Sequence, residues 1–146
     1  MKALALSQFR SYAGYAPTVL RVILGIVFIA HGWDKLQMGP ANFAGYLASL
    51  NVPAPELMAW VVTILELVGG ILLLVGAGTR MVALLLAVEM IGTTLLVKVD
   101  RGLIAQEGAG AELDIAVFAG AVAILLLGPG RLAVDNSIGL GDPITT

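Results

Sequence analysis

The sequence predicts an all-α membrane protein, a bundle of four transmembrane helices with both termini in the cytoplasm (N-in/C-in). Three observations support this fold class. The 146-residue chain is 59% hydrophobic and only 12% charged, about half the charged share of a soluble domain. Four apolar stretches approach the length of a bilayer crossing. Gly- and Pro-containing segments separate them. The length predicts a single membrane domain over residues 1–146.

The first spanning helix is predicted over residues 17–36, after a cytoplasmic lead-in of residues 1–16. Pro17 suits a first helical turn, where its missing N–H costs no hydrogen bond. Roughly 20 residues give a helix of ~30 Å, the thickness of the hydrocarbon core. The next segment is too polar to span. Within it, residues 42–50 place Phe43, Tyr46, Leu47 and Leu50 at helical spacing, which predicts a short amphipathic helix in the first outer loop, lying on the membrane.

The second and third spans are predicted over residues 55–75 and 79–98, with a tight turn at Gly76-Ala77-Gly78 between them. The fourth, over residues 112–127, is short. Its uncharged run begins only at Ile115, so it needs its flanks or a tilt to cross the bilayer. Gly128-Pro129-Gly130 ends this helix, and the polar tail of residues 128–146 is predicted to be loosely ordered.

The distribution of basic residues predicts the orientation. With the N-terminus inside, five of them face the cytoplasm and three lie outside, in agreement with the positive-inside rule. The five are Lys2, Arg10, Arg21, Arg80 and Arg131; the three are Lys35, Lys98 and Arg101. The acids agree with this orientation, since Asp34, Glu56, Asp100, Glu107, Glu112 and Asp114 would all lie outside. The location predicted is therefore a bacterial-type inner membrane, crossed several times by the chain.

Several functions are excluded by composition. The chain has no cysteine, so it cannot perform thiol–disulfide exchange or ligate an iron–sulfur cluster by itself. With one histidine, no intrinsic metal or haem site is expected. A net charge of −2 and no basic stripe argue against nucleic acid. Redox chemistry would need an organic cofactor, such as a quinone, or a partner subunit.

Two carboxylates, Glu66 and Glu89, interrupt the spans about 15 Å from a helix end, near the midplane. An acid at this depth costs roughly 2.5–3.5 kcal/mol, so each must be protonated, paired or turned into the bundle. On the first helix, Arg21 and His31 bracket the midplane from either side. The sequence therefore predicts a buried polar cluster of Arg21, His31, Glu66 and Glu89. Small residues that allow close helix approach support it: Gly25, Gly32, Gly69, Gly70, Gly92 and the stripe Ala116, Ala119, Gly120 and Ala123.

Structural explanations compete at each of these positions. Arg21 can extend its head group to the inner lipid surface, and Lys35 with Trp33 suits an interface anchor. His31 can be an ordinary core histidine. Glu66 and Glu89 can form a lock between helices without any chemical role.

Three motifs of the chain resemble the DoxX family. They are Arg21-x-x-Leu24-Gly25-x-x-Phe28-x-x-His31-Gly32-x-x-Lys35-Leu36, then Glu66-x-x-Gly69-Gly70-x-x-Leu73-x-x-Gly76, then Gly128-Pro129-Gly130 to Asp135. The resemblance covers residues 18 to 136 and departs at Ala133, where the family pattern has serine. It implies a small four-helix membrane protein. It also implies association with quinone chemistry, since the family is named after a subunit linked to a quinol oxidase, and a related branch is the membrane subunit of thiosulfate:quinone oxidoreductase.

The leading hypothesis is therefore a quinone-associated redox component or a membrane subunit of an oxidoreductase complex. The candidate residues for holding a quinone or another polar ligand are Arg21, Phe28, His31 and Lys35, and the candidate proton carriers are Glu66, His31 and Glu89. The alternative is a non-catalytic anchoring or accessory subunit, and a small proton or solute transporter ranks below it. Expected partners are the lipid bilayer, other membrane or redox subunits, or a second copy of the chain. The residues leave open whether the chain is itself an enzyme.

Overall fold

A computed structural model describes residues 7–99, 102–105 and 110–141. Within these ranges all regular secondary structure is helical. A 3-10 helix, Ser7–Tyr15, leads into the first α-helix. The α-helices are α1 (Ala16–Met38), α2 (Pro40–Ser49), α3 (Pro55–Val75), α4 (Thr79–Leu96), α5 (Ala111–Leu127) and α6 (Val134–Ser137). The prediction of an all-α protein is confirmed, and each long helix ends within two residues of its predicted bounds.

The helix boundaries follow from Pro and Gly. Proline stands in the first turn of α1, α2 and α3, where its fixed φ suits a helix start. Gly76 ends α3 with a φ of 75°, a left-handed conformation that most side chains disfavour. This residue lets the chain reverse within three positions and begin α4.

The four longest helices pack side by side in the order α1, α3, α4, α5, and α5 returns to contact α1. In this arrangement α1 lies diagonally opposite α4, and α3 lies diagonally opposite α5. Leu24, Phe28, Leu73, Leu86 and Ile124 are buried between them. Many large apolar side chains point outward instead, including Ile23, Val68 and Val88, as expected for helices in lipid.

Three stretches are long and apolar enough to cross a membrane, namely Gln8–Met38, Pro55–Val75 and Thr79–Leu96. The α5 helix has 17 residues and is therefore ~25 Å long, shorter than the hydrocarbon core. It packs along α4 and α1. Among the described residues, three stretches are therefore long and apolar enough to span a membrane, whereas α5 is shorter than the hydrocarbon core.

The α2 helix corresponds to the predicted amphipathic helix of residues 42–50. Its apolar face, Phe43, Ala44 and Leu47, is buried against Ala59 of α3. The helix is therefore held against α3 by its own apolar side chains. Its predicted position on the membrane surface stays a prediction.

The C-terminal tail is better ordered than its polar composition predicts. Gly128, Pro129, Ala133 and Asp135 are buried, and the backbone N–H of Asp135 donates to the Gly76 carbonyl at 2.9 Å. The prediction of a loose tail is wrong for residues 128–141, because backbone carbonyls and the Asp135 carboxylate serve as partners for groups on α1 and α4. Residues 142–146 lie outside the described ranges.

Candidate functional site

A cavity of about 380 Å³ lies among α1, α2, α3, α4 and α5. Its walls are mostly apolar. Among the side chains that line it are four residues of the predicted site: Phe28, His31, Lys35 and Glu66. An apolar cavity with a few converging polar groups is the usual form of a small-molecule site.

The first polar feature of the cavity is an ion pair between α1 and α3. Lys35 Nζ lies 2.6 Å from Glu66 Oε2, and the two side chains are 17% and 5% exposed. The ammonium also lies 5.5 Å from the ring centre of Phe43 on α2, a cation–π contact. Lys35 is therefore turned inward to Glu66 and does not act as the interface anchor considered above.

Close approach of the α1 and α3 backbones makes this pair possible. A Cβ atom at Gly32 would lie 2.6 Å from Leu67 N, and one at Gly25 would lie 2.8 Å from the Gly70 carbonyl oxygen. Both distances are too short for any side chain. The predicted use of Gly25, Gly32 and Gly70 as close-contact positions is confirmed, whereas a Cβ at Gly92 would meet open space.

The second ion pair lies where α4 ends and α5 begins. Lys98 Nζ is 2.6 Å from Asp114 Oδ1, and the side chains are 16% and 7% exposed. Thr93 Oγ1 lies 2.9 Å from the other carboxylate oxygen, Oδ2, and 3.1 Å from the Met90 carbonyl. All three side chains line the cavity, so they fix a second charged position in its wall.

The sequence interpretation missed this second pair because it placed Lys98 and Asp114, at the ends of their predicted spans, on the outer side of the membrane. The sequence nevertheless contained a signal that Asp114 faces inward. Asp114 shares its helix face with Val117, Ala121 and Ile124, which are buried, at spacings of three, seven and ten residues. This pattern identifies the inward face of α5. Extending it one turn back toward the start of the helix would have placed Asp114 inside.

Glu89 lies between the two pairs but outside the cavity lining. Both of its carboxylate oxygens are buried without a hydrogen-bond partner among the described residues. Glu66, Lys35 and Asp114 all lie close enough to act on it electrostatically. The predicted proximity of Glu66 and Glu89 is therefore confirmed. Glu66 and Glu89 are also within side-chain hydrogen-bond reach of each other, and because two ionised carboxylates can only accept, this contact requires a proton on one of them.

His31 is exposed and lines the cavity beside Asp34. It is near enough to Glu66 to act on the carboxylate electrostatically. The prediction that His31 is buried is wrong, because its face of α1 turns outward at the rim of the cavity.

The prediction that Arg21 joins the same cluster is also wrong. Its Nε donates to the Pro129 carbonyl at 2.9 Å, and Nη1 donates to Leu73 and Leu74 at 3.0 and 2.6 Å. Nη2 donates to Leu132 at 2.6 Å and, more weakly, to Arg131 at 3.5 Å. These contacts account for all five N–H groups of the guanidinium. They lie two turns along α3 from Glu66, so Arg21 has no donor left for a ligand in the cavity.

A family model and several curated relatives match this chain. The family model described as DoxX matches residues 16–99. A Bacillus subtilis protein named "Putative oxidoreductase CatD" is 34% identical over 119 residues, 80% of this chain and 82% of the relative. An uncharacterised membrane protein of Mycobacterium tuberculosis is 30% identical over 82% of this chain and 78% of its own length.

The Escherichia coli inner membrane protein YqjF is 31% identical over 81% of this chain and 88% of its own length. No solved structure matches the chain significantly. The stretch matched by the family model contains Lys35, Glu66, Glu89 and Lys98, whereas Asp114 lies beyond it.

Proposed function

The chain belongs to the DoxX family, and we propose that it is a quinone-associated redox component of the bacterial inner membrane. It is a multi-pass inner-membrane protein, in line with its apolar spans and with relatives named as inner membrane proteins. The observation that carries the quinone proposal is the apolar cavity whose wall holds the Lys35–Glu66 pair. The name of the Bacillus relative gives independent support for a redox role.

The residues around the cavity fit a quinone head group. Such a head group is planar, apolar on both faces, and accepts hydrogen bonds at its carbonyl oxygens. The cavity volume of about 380 Å³ lies in the usual range for ligand pockets. Phe28, Phe43 and Leu47 supply apolar wall, and Lys35 presents an ammonium donor at its edge.

A bound quinone would supply the redox chemistry, and the side chains of the chain would hold it and manage protons. Lys35 uses one N–H for Glu66 and has others to donate to a carbonyl oxygen. Glu66 keeps the ammonium in place and accepts or releases a proton beside it. Glu89 holds a proton behind the wall, and His31 at the rim passes protons to and from the surroundings.

In this proposal the chain crosses the membrane four times, with both termini in the cytoplasm. The short α5 crosses by tilting or by local thinning of the bilayer, which agrees with its exposed apolar end at Leu126 and Leu127. Lys35 and Lys98 then lie toward the outer surface, and the cavity lies in the outer half of the bundle. A phosphatase fused to the C-terminus should be inactive in cells, because that enzyme folds only outside the cytoplasm. An active fusion would contradict the topology.

Calorimetric titration with para-naphthoquinone tests the proposed function. The purified protein in detergent should bind the quinone, with an empty-micelle titration as the blank. Glu66→Gln should weaken binding about tenfold or more, because a neutral amide no longer holds the Lys35 ammonium in place.

The control variant is Glu56→Gln, which neutralises an exposed acid in the first turn of the same helix. It should bind the quinone like the wild-type protein. The proposal fails if the wild-type protein binds no quinone, or if Glu66→Gln binds as tightly as Glu56→Gln.

A second candidate function is that of an accessory subunit that anchors a larger complex. The observation that favours it is a groove of about 620 Å³ along α2 and α3, lined mainly by the small residues Pro40, Ala41, Ala44, Gly45 and Ala48. Small residues let another membrane helix approach closely. Purification in a mild detergent from the native membrane should then yield a larger assembly of constant composition, and a monodisperse single protein would count against this role.

A further inference from the structure

The two lysine–carboxylate pairs of the cavity have nearly the same construction. In each, the N–O distance is 2.6 Å, the carboxylate is 5–7% exposed and the lysine is 16–17% exposed. In each, the carboxylate is the more deeply buried partner. The lysine forms part of the cavity wall, with its ammonium held at a fixed place.

The two pairs occupy opposite sides of the helix arrangement. Glu66 belongs to α3 and Asp114 to α5, and these helices are diagonal to each other because each packs between α1 and α4. Lys35 lies near the end of α1, and Lys98 follows the end of α4, which is the other diagonal. A ligand in the cavity therefore has one ammonium on each of two opposing walls.

Each ammonium can still donate toward the cavity. A lysine ammonium has three N–H groups, and Lys98 uses one of them for Asp114 Oδ1. Thr93 approaches the other oxygen of Asp114 at 2.9 Å, so the carboxylate is held from two directions and orients the ammonium. A buried ion pair contributes little to stability compared with apolar side chains of the same volume. Stability alone therefore does not explain why this pair lies in the cavity wall, and ligand binding is a better explanation.

We infer that Lys98, positioned by Asp114 and Thr93, is a second ligand-binding position, and that the cavity takes a planar head group with two acceptors on opposite sides. One acceptor receives a hydrogen bond from Lys35 and the other from Lys98, while apolar walls cover the ring faces. This inference rests on the proposed function and deepens it. It names para-quinones, with their two opposed carbonyl groups, as the preferred class over aromatic ketones with a single carbonyl.

The test compares para-naphthoquinone with α-tetralone, which has a similar bicyclic frame but one carbonyl. Calorimetry on the wild-type protein should give tighter binding of the quinone by about tenfold or more, the usual effect of one hydrogen bond to a charged group. The variant is Lys98→Met combined with Asp114→Leu, since removing both partners leaves no unpaired charge in the cavity wall. In this variant the quinone should bind about as weakly as the ketone.

The ketone distinguishes a ligand contact from a general loss of structure. Its single carbonyl can be held at Lys35, so its affinity should be the same in the wild-type protein and in the double variant. Thr94→Val, on α4 next to Thr93 but outside the lining of this cavity, is the control and should keep the quinone preference. A circular dichroism spectrum and an elution volume like those of the wild type establish that each variant is folded.

Every outcome bears on the inference. If the wild-type protein binds neither compound, the proposed function fails and this inference fails with it. If the wild-type protein prefers the quinone and the Lys98 and Asp114 variant keeps that preference, the second position is refuted and the proposed function stands. Equal binding of the quinone and the ketone by the wild-type protein also refutes the second binding position.

Discussion

Arg21 and Lys35 are two cations on one helix, and their hydrogen-bond partners differ. They are fourteen residues apart, close to four turns, so they point in similar directions from α1 at positions separated by ~21 Å. Arg21 is 2% exposed and gives its five N–H groups to backbone carbonyls. Lys35 faces one carboxylate and a cavity. Around Arg21, in the N-terminal part of the helix, hydrogen bonds leave no donor unused, whereas Lys35, near the C-terminal end, keeps donors available.

This difference separates a structural charge from a candidate ligand contact. The guanidinium of Arg21 joins α1 to the end of α3 and to the tail after α5, and its hydrogen-bond partners are all neutral carbonyls. The nearby Asp135 carboxylate accepts from the backbone N–H groups of Gly78 and Thr79 instead. At Lys35 the partner is an acid that can itself take up a proton. A buried charge near a titratable partner and a cavity is therefore the better functional candidate, although both residues belong to the same sequence motif.

The largest expected effect is at Arg21. Arg21→Met should lower the free energy of unfolding by about 3–5 kcal/mol, because it leaves several buried carbonyls without a donor. Arg21→Lys should recover little of the loss, since three donors from one point cannot reach carbonyls on α3 and in the tail together. Unfolding by sodium dodecyl sulfate, followed by circular dichroism, measures both.

Arg10→Met is the matched control, since it removes an exposed arginine from the 3-10 segment before α1. It should change the unfolding midpoint only slightly. Equal stability of the Arg21→Met and Arg10→Met proteins would show that the hydrogen bonds of Arg21 do not stabilise the packing of α1 against α3 and the tail.

An intermediate effect is expected where α1 and α3 touch beside the cavity. Gly32→Ala should destabilise the protein by about 1–3 kcal/mol, because the added methyl group meets the Leu67 backbone and forces the helices apart. It should also weaken quinone binding, since the Lys35–Glu66 pair spans the same two helices. Unfolding and calorimetric titrations measure the two effects.

Gly92→Ala is the matched control, a glycine-to-alanine change within a helix at which the added methyl group meets open space. It should leave binding unchanged and raise the stability slightly, by up to about 1 kcal/mol, from helix propensity. Similar losses of stability in both variants would mean that the close approach at Gly32 does not position the cavity.

The smallest effect concerns Asp135, whose carboxylate accepts from the backbone N–H groups of Gly78 and Thr79 at 2.7 and 2.9 Å. Burial acts to raise the pKa of this carboxyl. The N–H groups of Thr79 and Gly78 and the charge of Arg21 outweigh burial and hold the pKa below its ordinary value. Asp135→Asn should therefore cost about 1 kcal/mol, as for the loss of a helix cap.

The sign of the pH dependence follows from the lowered pKa. The stabilisation from Asp135 is fully present above the carboxyl pKa of the unfolded chain, about 4, and is lost as the pH falls through the lower folded value. The stability difference between the wild type and Asp135→Asn should thus be constant near neutral pH and shrink in acid. A difference that grows in acid would contradict this assignment.

Much of the fold could be predicted because apolar runs bounded by Gly and Pro define the helices almost directly. The same reasoning located Glu66 and Glu89 at similar depth, and they are neighbours. It could not assign Arg21, because depth alone does not reveal that carbonyls from residues 129–132 reach its guanidinium. It missed Lys98 and Asp114 because charges at helix ends are usually in water, and only the inward face of α5 shows otherwise. It placed His31 inside because the lipid-facing and the buried sides of α1 are both apolar, so the sequence does not show on which side a residue lies.

The contacts of Arg21 also set an order of assembly during protein synthesis. Leu73 and Leu74 become available as acceptors about fifty residues after Arg21 is made, but Pro129 and Leu132 follow more than a hundred residues later. Two of the three nitrogen atoms of its guanidinium therefore gain their acceptors only after the tail is made. The first helices can enter the membrane before these hydrogen bonds form. The hydrogen bonds around Arg21 are complete only when residues 129–132 are in place, so a segment made after all four long helices completes contacts that begin in the first one.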